Sequence, residues 1–220
     1  MITLILISVI AAGVFVFLFA AALATGGEAL AIDRRILLSL RHPGNLAIPI
    51  GPAWMAGAAK DVTALAGTPV LTIFTLILSG YFVLKRQWRM LALVLIAVLG
   101  ETLIVDVLKD LFDRQRPDVV PHLVKVSSPS FPSGHSASAA AVYLTFGAIL
   151  ARTASSAAVR RYVIAIAVLL ALVIGVSRVY LGVHYLSDVI GGLSFGAAWA
   201  ALVFLVAHRI ELRRRGRSLR

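Results

Sequence analysis

The 220-residue chain contains no cysteine. Neither a disulfide framework nor a thiolate metal site is therefore open to it. Charge is also scarce. Only 14% of residues are Asp, Glu, Lys or Arg, and the 10 acids are outnumbered by 21 bases. What abounds is apolar: 60% of residues, for a mean hydropathy of +0.95. A soluble domain runs nearer half apolar, so this composition belongs to a membrane protein. The N-terminal run Ile2 to Leu23 has no Lys or Arg ahead of it and exceeds the apolar core of a signal peptide. It reads as a retained transmembrane helix, although the small residues Ala20 to Ala24 mimic a cleavage site.

A bilayer core of about 30 Å takes about 20 apolar residues per helix. Six stretches qualify, roughly 2–23, 68–84, 89–108, 135–151, 161–178 and 188–207. Backbone polar groups must be satisfied inside lipid, so each is expected to be a helix. The expected fold is all-α: a polytopic membrane protein with six transmembrane helices in one domain, 1–220. Short interfacial helices are expected in the first long connection, 24–67. Ala29 to Arg41 sets Ile32, Ile36, Leu37 and Leu40 against the polar Asp33, Arg34, Ser39 and Arg41. His42-Pro43-Gly44-Asn45 reads as a turn. Trp54 to Ala66 reads as a second short helix stopped by Gly67, and Thr68-Pro69 opens the next span. The other long connection, 109–134, is polar.

With six spans both termini share a side. That side holds Lys85, Arg86, Arg89, Arg152, Arg160 and Arg161, and a basic tail over 209–220. In all it carries 12 of the 21 bases against one acid, Glu211, so the whole net charge of +11 resides there. Positive charge marks the cytoplasmic side. The basic excess is thus a statement about orientation in a plasma or inner membrane, and nucleic acid is not expected as a partner. Contact of the 213–217 cluster with anionic lipid is a secondary expectation.

The unusual polar residues then gather on the outer face. Lys109, Arg116, Pro117, Ser133, Gly134, His135, Arg178, His184 and Asp188 all fall at outer helix ends or in the second long connection. Ionisable groups near spans default to functional hypotheses. His184 and Asp188 are four apart, so on a helix Asp188 would hold one ring nitrogen and leave the other free to attack. The pair reads equally as a surface ion pair at a helix start. Ser133-Gly134-His135 opens a helix whose N-terminal N–H groups suit an anion; Ser133 is also a simple N-cap. Lys109, Arg116 and Arg178 suit phosphoryl oxygens, or are snorkelling residues at span ends. Arg114 fits the snorkelling reading better. Asp110 and Asp113 read as loop charges balancing Arg114 and Lys109. Glu101 and Asp106 are expected to hydrogen-bond inside the bundle, and His42 and His122 to be solvated. Trp54 and Trp88 suit interfacial anchors. Gly191, Gly192, Gly196 and Ala197 suit close helix packing.

The spacing Lys109-x6-Arg116-Pro117, then Pro132-Ser133-Gly134-His135, then Ser177-Arg178-x5-His184-x3-Asp188 resembles the tripartite signature of the type 2 phosphatidic acid phosphatase family. The motifs cover 109–188, and the six-helix plan extends the resemblance over most of the chain. The resemblance implies a phosphohistidine on His184, oriented by Asp188. It implies His135 as general acid and then base, with Lys109, Arg116, Ser133, Gly134 and Arg178 as the phosphate cradle. It implies no metal and no cofactor, and the chain has no outward carboxylate cluster suited to Mg²⁺. The expected substrate is a lipid phosphate at the outer leaflet: undecaprenyl diphosphate first, then phosphatidylglycerol phosphate or phosphatidic acid. A lipid phosphotransferase with the same intermediate and a non-catalytic transporter or lipid-binding protein are the alternatives. Six spans argue against a soluble haloperoxidase. Oligomeric state is not legible.

Overall fold

A computed structural model describes residues 2–217, and the side chains among them except those of 27–29 and 211–217. Among the described residues there are nine α-helices: α1 (Ile2–Thr25), α2 (Gly27–Ser39), α3 (Trp54–Ala64), α4 (Thr68–Leu84), α5 (Trp88–Leu95), α6 (Glu101–Phe112), α7 (Gly134–Thr153), α8 (Ala157–Tyr180) and α9 (Leu186–Arg217). A π-helical turn, Ile96–Gly100, joins α5 to α6 in one span from Trp88 to Phe112. Five spans are long and apolar enough to cross a bilayer: α1, α5–α6, α7, α8 and α9 to Ile210. The 17-residue α4 follows α3 across a 40° bend, and that pair supplies a sixth crossing if it is one span. The all-α polytopic expectation holds on either count.

The expected turn after α2 is a small hairpin. Arg41–His42 (β1) pairs antiparallel with Asn45–Pro49 (β2) around Pro43-Gly44. Asn45 Oδ1 accepts from the Ala47 N–H at 3.0 Å, and the Ile50 N–H reaches Leu40 O at 3.0 Å, which ties the hairpin back to α2.

In lipid there is little hydrophobic drive between helices, so close packing of small residues must hold them together. α9 is the axis: α1 and α7 lie along it, and α8 packs against α7. Gly192 and Gly196 let α7 approach until backbones touch. A Cβ on Gly192 would fall on Ser133 O, and one on Gly196 on Ala137 O. On the other side a Cβ on Gly13 would lie 2.8 Å from both Ala198 Cβ and Ser194 O. Large apolar side chains such as Leu4, Phe15, Leu76 and Leu103 point outward, as a bilayer solvent permits.

The loops joining α4 to α5 and α7 to α8 lie at one end of the bundle, where Arg86, Arg89 and Arg152 line one cavity with Ile210 of α9. The backbone of the basic tail continues α9 to Arg217, and the side chains of the 213–217 cluster lie outside the described residues. At the opposite end the C-termini of α6 and α8 meet the N-termini of α7 and α9, covered by α2, the hairpin and 113–133.

Overpacking a tight contact costs about 1–3 kcal/mol. Gly196→Ala is therefore expected to lower the unfolding temperature in detergent. Gly80→Ala, on a helix face with nothing within 4 Å, is expected to leave it unchanged or raise it. Equal melting of the two variants would contradict the backbone contact.

Candidate active site

The short link between α8 and α9 carries His184. It turns at Gly182, whose φ of +75° suits glycine, and a Cβ there would lie 2.6 Å from Arg41 Nη2 and 2.9 Å from Val120. Arg41 is buried and donates to Tyr180 O at 3.0 Å, while the Tyr180 hydroxyl donates to Ile50 O at 2.7 Å. The first outer segment thus clamps this link from outside.

His184 and Asp188 do not share a helix face, as four-residue spacing suggested. His184 precedes α9, and Asp188 occupies its first turn. There the Asp188 carboxylate accepts the Tyr185 N–H at 2.9 Å, half of a capping box. The same Oδ2 accepts from Ser130 Oγ at 2.5 Å and lies 3.4 Å from His184 Nδ1. His184 Nε2 faces Arg116 Nη1 at 3.2 Å. A guanidinium only donates, so Nε2 holds the lone pair and Nδ1 the proton, directed at Asp188 and Ser130. Burial drives the His184 pKa down to about 3 against the pull of Asp188, with Arg116 and Arg178 pushing the same way as burial. A lowered value means a neutral ring at every pH well above 3.

Lys109 and Arg178 both lie within electrostatic reach of the Arg116 that faces this nitrogen. Arg116 Nε donates to Ser128 O at 2.7 Å and its Nη1 to Val183 O at 2.7 Å, and burial lowers its pKa while Asp188 opposes the shift. Lys109 is buried, with Nζ donating to Pro129 O at 2.6 Å and Ser128 Oγ at 3.2 Å. Arg178 donates to Thr63 Oγ1 of α3 at 3.1 Å, and its Nε is buried without a protein partner. His135, on the first turn of α7, lies within electrostatic reach of Arg178, Arg116 and Lys109. Ser133 precedes α7 without capping it: its hydroxyl accepts from Ser136 Oγ at 2.9 Å, and its N–H donates to Asp188 O at 3.0 Å. A Cβ on Gly134 would meet nothing nearer than Lys109 Cε at 3.6 Å. Protein packing alone therefore does not demand glycine there. The eight residues to which the resemblance gives a role all gather at this end of the bundle.

Sequence reasoning missed the layer behind them. Arg114 is no snorkelling residue. Its side chain is 9% exposed and bridges two buried carboxylates, Asp188 through Nη1 and Asp33 through Nη2 at 3.2 Å. It also donates to Ser187 Oγ at 2.8 Å and lies 4.4 Å over the Tyr185 ring. Asp33, expected on the polar side of an interfacial helix, accepts the Ser187 N–H at 3.1 Å and the Ser187 hydroxyl. Nor do Asp110 and Asp113 balance Arg114 and Lys109: the partners of Arg114 are Asp33 and Asp188, and Lys109 is held by Ser128 and Pro129. Glu101 is buried and accepts from Ser138 at 3.0 Å, as expected, but Asp106 faces outward. His42 and His122 are exposed, the latter 2.7 Å from Pro117 O.

Arg114→Ala leaves two buried carboxylates facing each other. A stability loss of about 3–5 kcal/mol is expected, read as a lower unfolding temperature. Adding Asp33→Asn should restore part of it by removing one unpaired charge. Unfolding of Arg114→Ala at the wild-type temperature would refute the bridge. Histidine NMR offers a separate check: the His184 ring is expected to stay neutral from about pH 8 to about pH 5 rather than titrate near the ordinary value of about 6.5.

The model of the PAP2 superfamily matches residues 73–211. Phosphatidylglycerophosphatase B of Bacillus subtilis is 38% identical over 163 residues, 73% of this chain and 77% of that protein. A lipid A 1-phosphatase of Rhizobium johnstonii is 34% identical over 50% of this chain and 45% of its own. Among solved structures, a transmembrane PAP2 type phosphatidylglycerolphosphate phosphatase from Bacillus subtilis superposes with a TM-score of 0.79 at 31% identity, covering 91% of this chain and 96% of that one. The Aquifex aeolicus LpxE structure shares the fold, with a TM-score of 0.56 at 22% identity over 80% of this chain and 93% of that one. The chain belongs to the PAP2 superfamily and is one of its multi-pass membrane phosphatases.

Proposed function

We propose that this phosphatase hydrolyses the phosphomonoester or diphosphate of a membrane lipid through a phosphohistidine on His184. The observation that carries the reading is the direction of that ring. Nδ1 is held toward Asp188, and the lone pair of Nε2 points at Arg116 in a site that also contains Lys109, Arg178 and the N-terminus of α7. Nε2 attacks phosphorus, the P–O bond to the lipid breaks, and His135 gives its proton to the departing oxygen. Water then attacks the phosphohistidine, His135 takes its proton, the P–N bond breaks, and phosphate leaves with His184 restored. Lys109, Arg116, Arg178, Ser133 and Gly134 hold the equatorial oxygens, and each charged donor supplies about 3–4 kcal/mol if it resembles a well-placed oxyanion donor. Asp188, the carboxylate beside the His184 ring, is engaged by Arg114, which supports a mechanism that needs no metal.

The site lies at the end of the bundle opposite the basic loops. In this reading it opens to the outer, periplasmic side of the plasma or inner membrane, with both termini cytoplasmic. A lipid head group reaches such a site while its tails remain in the bilayer. The similarity to a phosphatidylglycerophosphatase over most of the chain favours phosphatidylglycerol phosphate over undecaprenyl diphosphate. A 37% identical stretch shared with a decaprenylphosphoryl-5-phosphoribose phosphatase of Mycobacterium tuberculosis keeps the prenyl substrate as the second choice.

Purified enzyme given phosphatidylglycerol phosphate, undecaprenyl diphosphate or phosphatidic acid alone is expected to release inorganic phosphate, fastest from the first. Release should survive a chelator and be inhibited by vanadate. His184→Ala should abolish nearly all turnover while melting like wild type. Turnover near wild type would refute the mechanism, and phosphate transfer seen only with an added acceptor would make the protein a phosphotransferase.

A further inference from the structure

The end of the bundle remote from the catalytic histidines holds a cavity of about 500 Å³ with no part in the chemistry above. Gly134 and Arg152 are the two ends of α7, which puts this cavity about 27 Å from the His135 turn by helix rise. Its rim is basic: Arg86 from the α4–α5 connection, Arg89 from the first turn of α5 and Arg152 from the last turn of α7 line it, together with Trp88. Arg86 has a φ of +53°, the left-handed region that non-glycine residues rarely adopt, in the turn that places this rim.

Two apolar grooves diverge from the same cavity. One, of about 790 Å³, runs between α4 and α7, lined by Phe74, Ile77, Phe146 and Leu150, and it shares Gln87, Met90 and Arg152 with the basic cavity. The other, of about 320 Å³, runs between α5 and α9, lined by Ile96, Leu202 and Val206, and it shares Arg89, Leu93 and Ile210 with the basic cavity. One cationic pocket feeding two apolar channels, one on either side of α5, has the chemistry of a single molecule: an anionic head carrying two hydrocarbon chains. A free phosphate would use only the rim. A single-chain lipid would leave one groove empty, and a zwitterionic lipid would bring a cation beside its phosphate, toward Arg86 and Arg89.

We propose that this end of the bundle is a binding site for an anionic diacyl phospholipid of the adjacent leaflet, with its phosphate at Arg86 and Arg89 and one acyl chain in each groove. Trp88 is the first residue of the α5–α6 span, and an indole at a span end suits the head-group region. The site is separate from the catalytic one, so it does not depend on the lipid hydrolysed there, and only the name of the leaflet depends on the orientation given above.

The test uses the full-length enzyme in a neutral detergent. A diacyl phosphatidylglycerol, the phosphatidylcholine with the same chains, and inorganic phosphate are added in turn, and thermal unfolding and native mass spectra are recorded. Phosphatidylglycerol is expected to raise the unfolding temperature and to remain bound as one molecule per chain, with little effect from the other two. Arg86→Gln and Arg89→Gln should each weaken that binding about fivefold, the contribution of one basic side chain at an anionic surface. Turnover of a water-soluble phosphomonoester should be unchanged in both. Equal stabilisation by the phosphatidylcholine would reduce the grooves to ordinary lipid contact. Equal stabilisation by inorganic phosphate would make the rim a simple anion site. Either result, or phosphatidylglycerol binding that survives the double variant, overturns the proposal.

Discussion

The contact between α7 and α9 decides where everything else can lie. The α9 side of its centre carries no side chains: Gly192 and Gly196 meet the carbonyls of Ser133 and Ala137, with the small Ser136 and Ala140 beside them. Because the backbones touch, the start of α7 is pinned against the start of α9. The Ser133 N–H reaches Asp188 O across that seam. The two stretches that carry the proposed acid and the proposed nucleophile therefore arrive side by side, although 49 positions separate His135 from His184.

Around that seam the molecule holds an uncommon amount of buried charge. Arg114, Asp33 and Asp188 are desolvated together, and such groups are weak sources of net stability because dehydration offsets their attraction. Their effect here is positional. One carboxylate oxygen of Asp188 is taken by Arg114, and the other is shared among Ser130, the Tyr185 N–H and His184. The carboxylate thus has one orientation, and through it the imidazole has one tautomer. The outer segment contributes to the same end from the far side, with Asp33 on the start of α9 and Arg41 on the end of α8. Both residues precede position 73, where the family match begins, so this part of the support comes from the N-terminal segment.

Much of this was open to a reader of the sequence. The spans were legible because a bilayer imposes one length and one composition on every crossing. The motifs of the proposed site were legible because few proteins place Lys, Arg, Ser-Gly-His and Arg-His-Asp at those spacings at span ends. Arg114 and Asp33 were not. Each has the surroundings of an ordinary loop or interfacial charge, and their pairing joins positions 81 apart. The hairpin over 41–49 was hidden for a related reason, since a two-residue strand has no periodicity to read.

By itself the sequence determined the solvent the chain folds in, the helices that solvent requires, the segregation of basic residues to one end, and the residue types assembled at the other. Those properties are local: they follow from runs of apolar residues, from spacings within one helix and from charge counted loop by loop. Only the tertiary structure decided which nitrogen of His184 is free, which cation faces it and which carboxylates stand behind it. These depend on how closely two glycine faces approach and on how a distant outer segment closes over the link between α8 and α9, and no local pattern encodes a distance between residues that meet only after the bundle has formed.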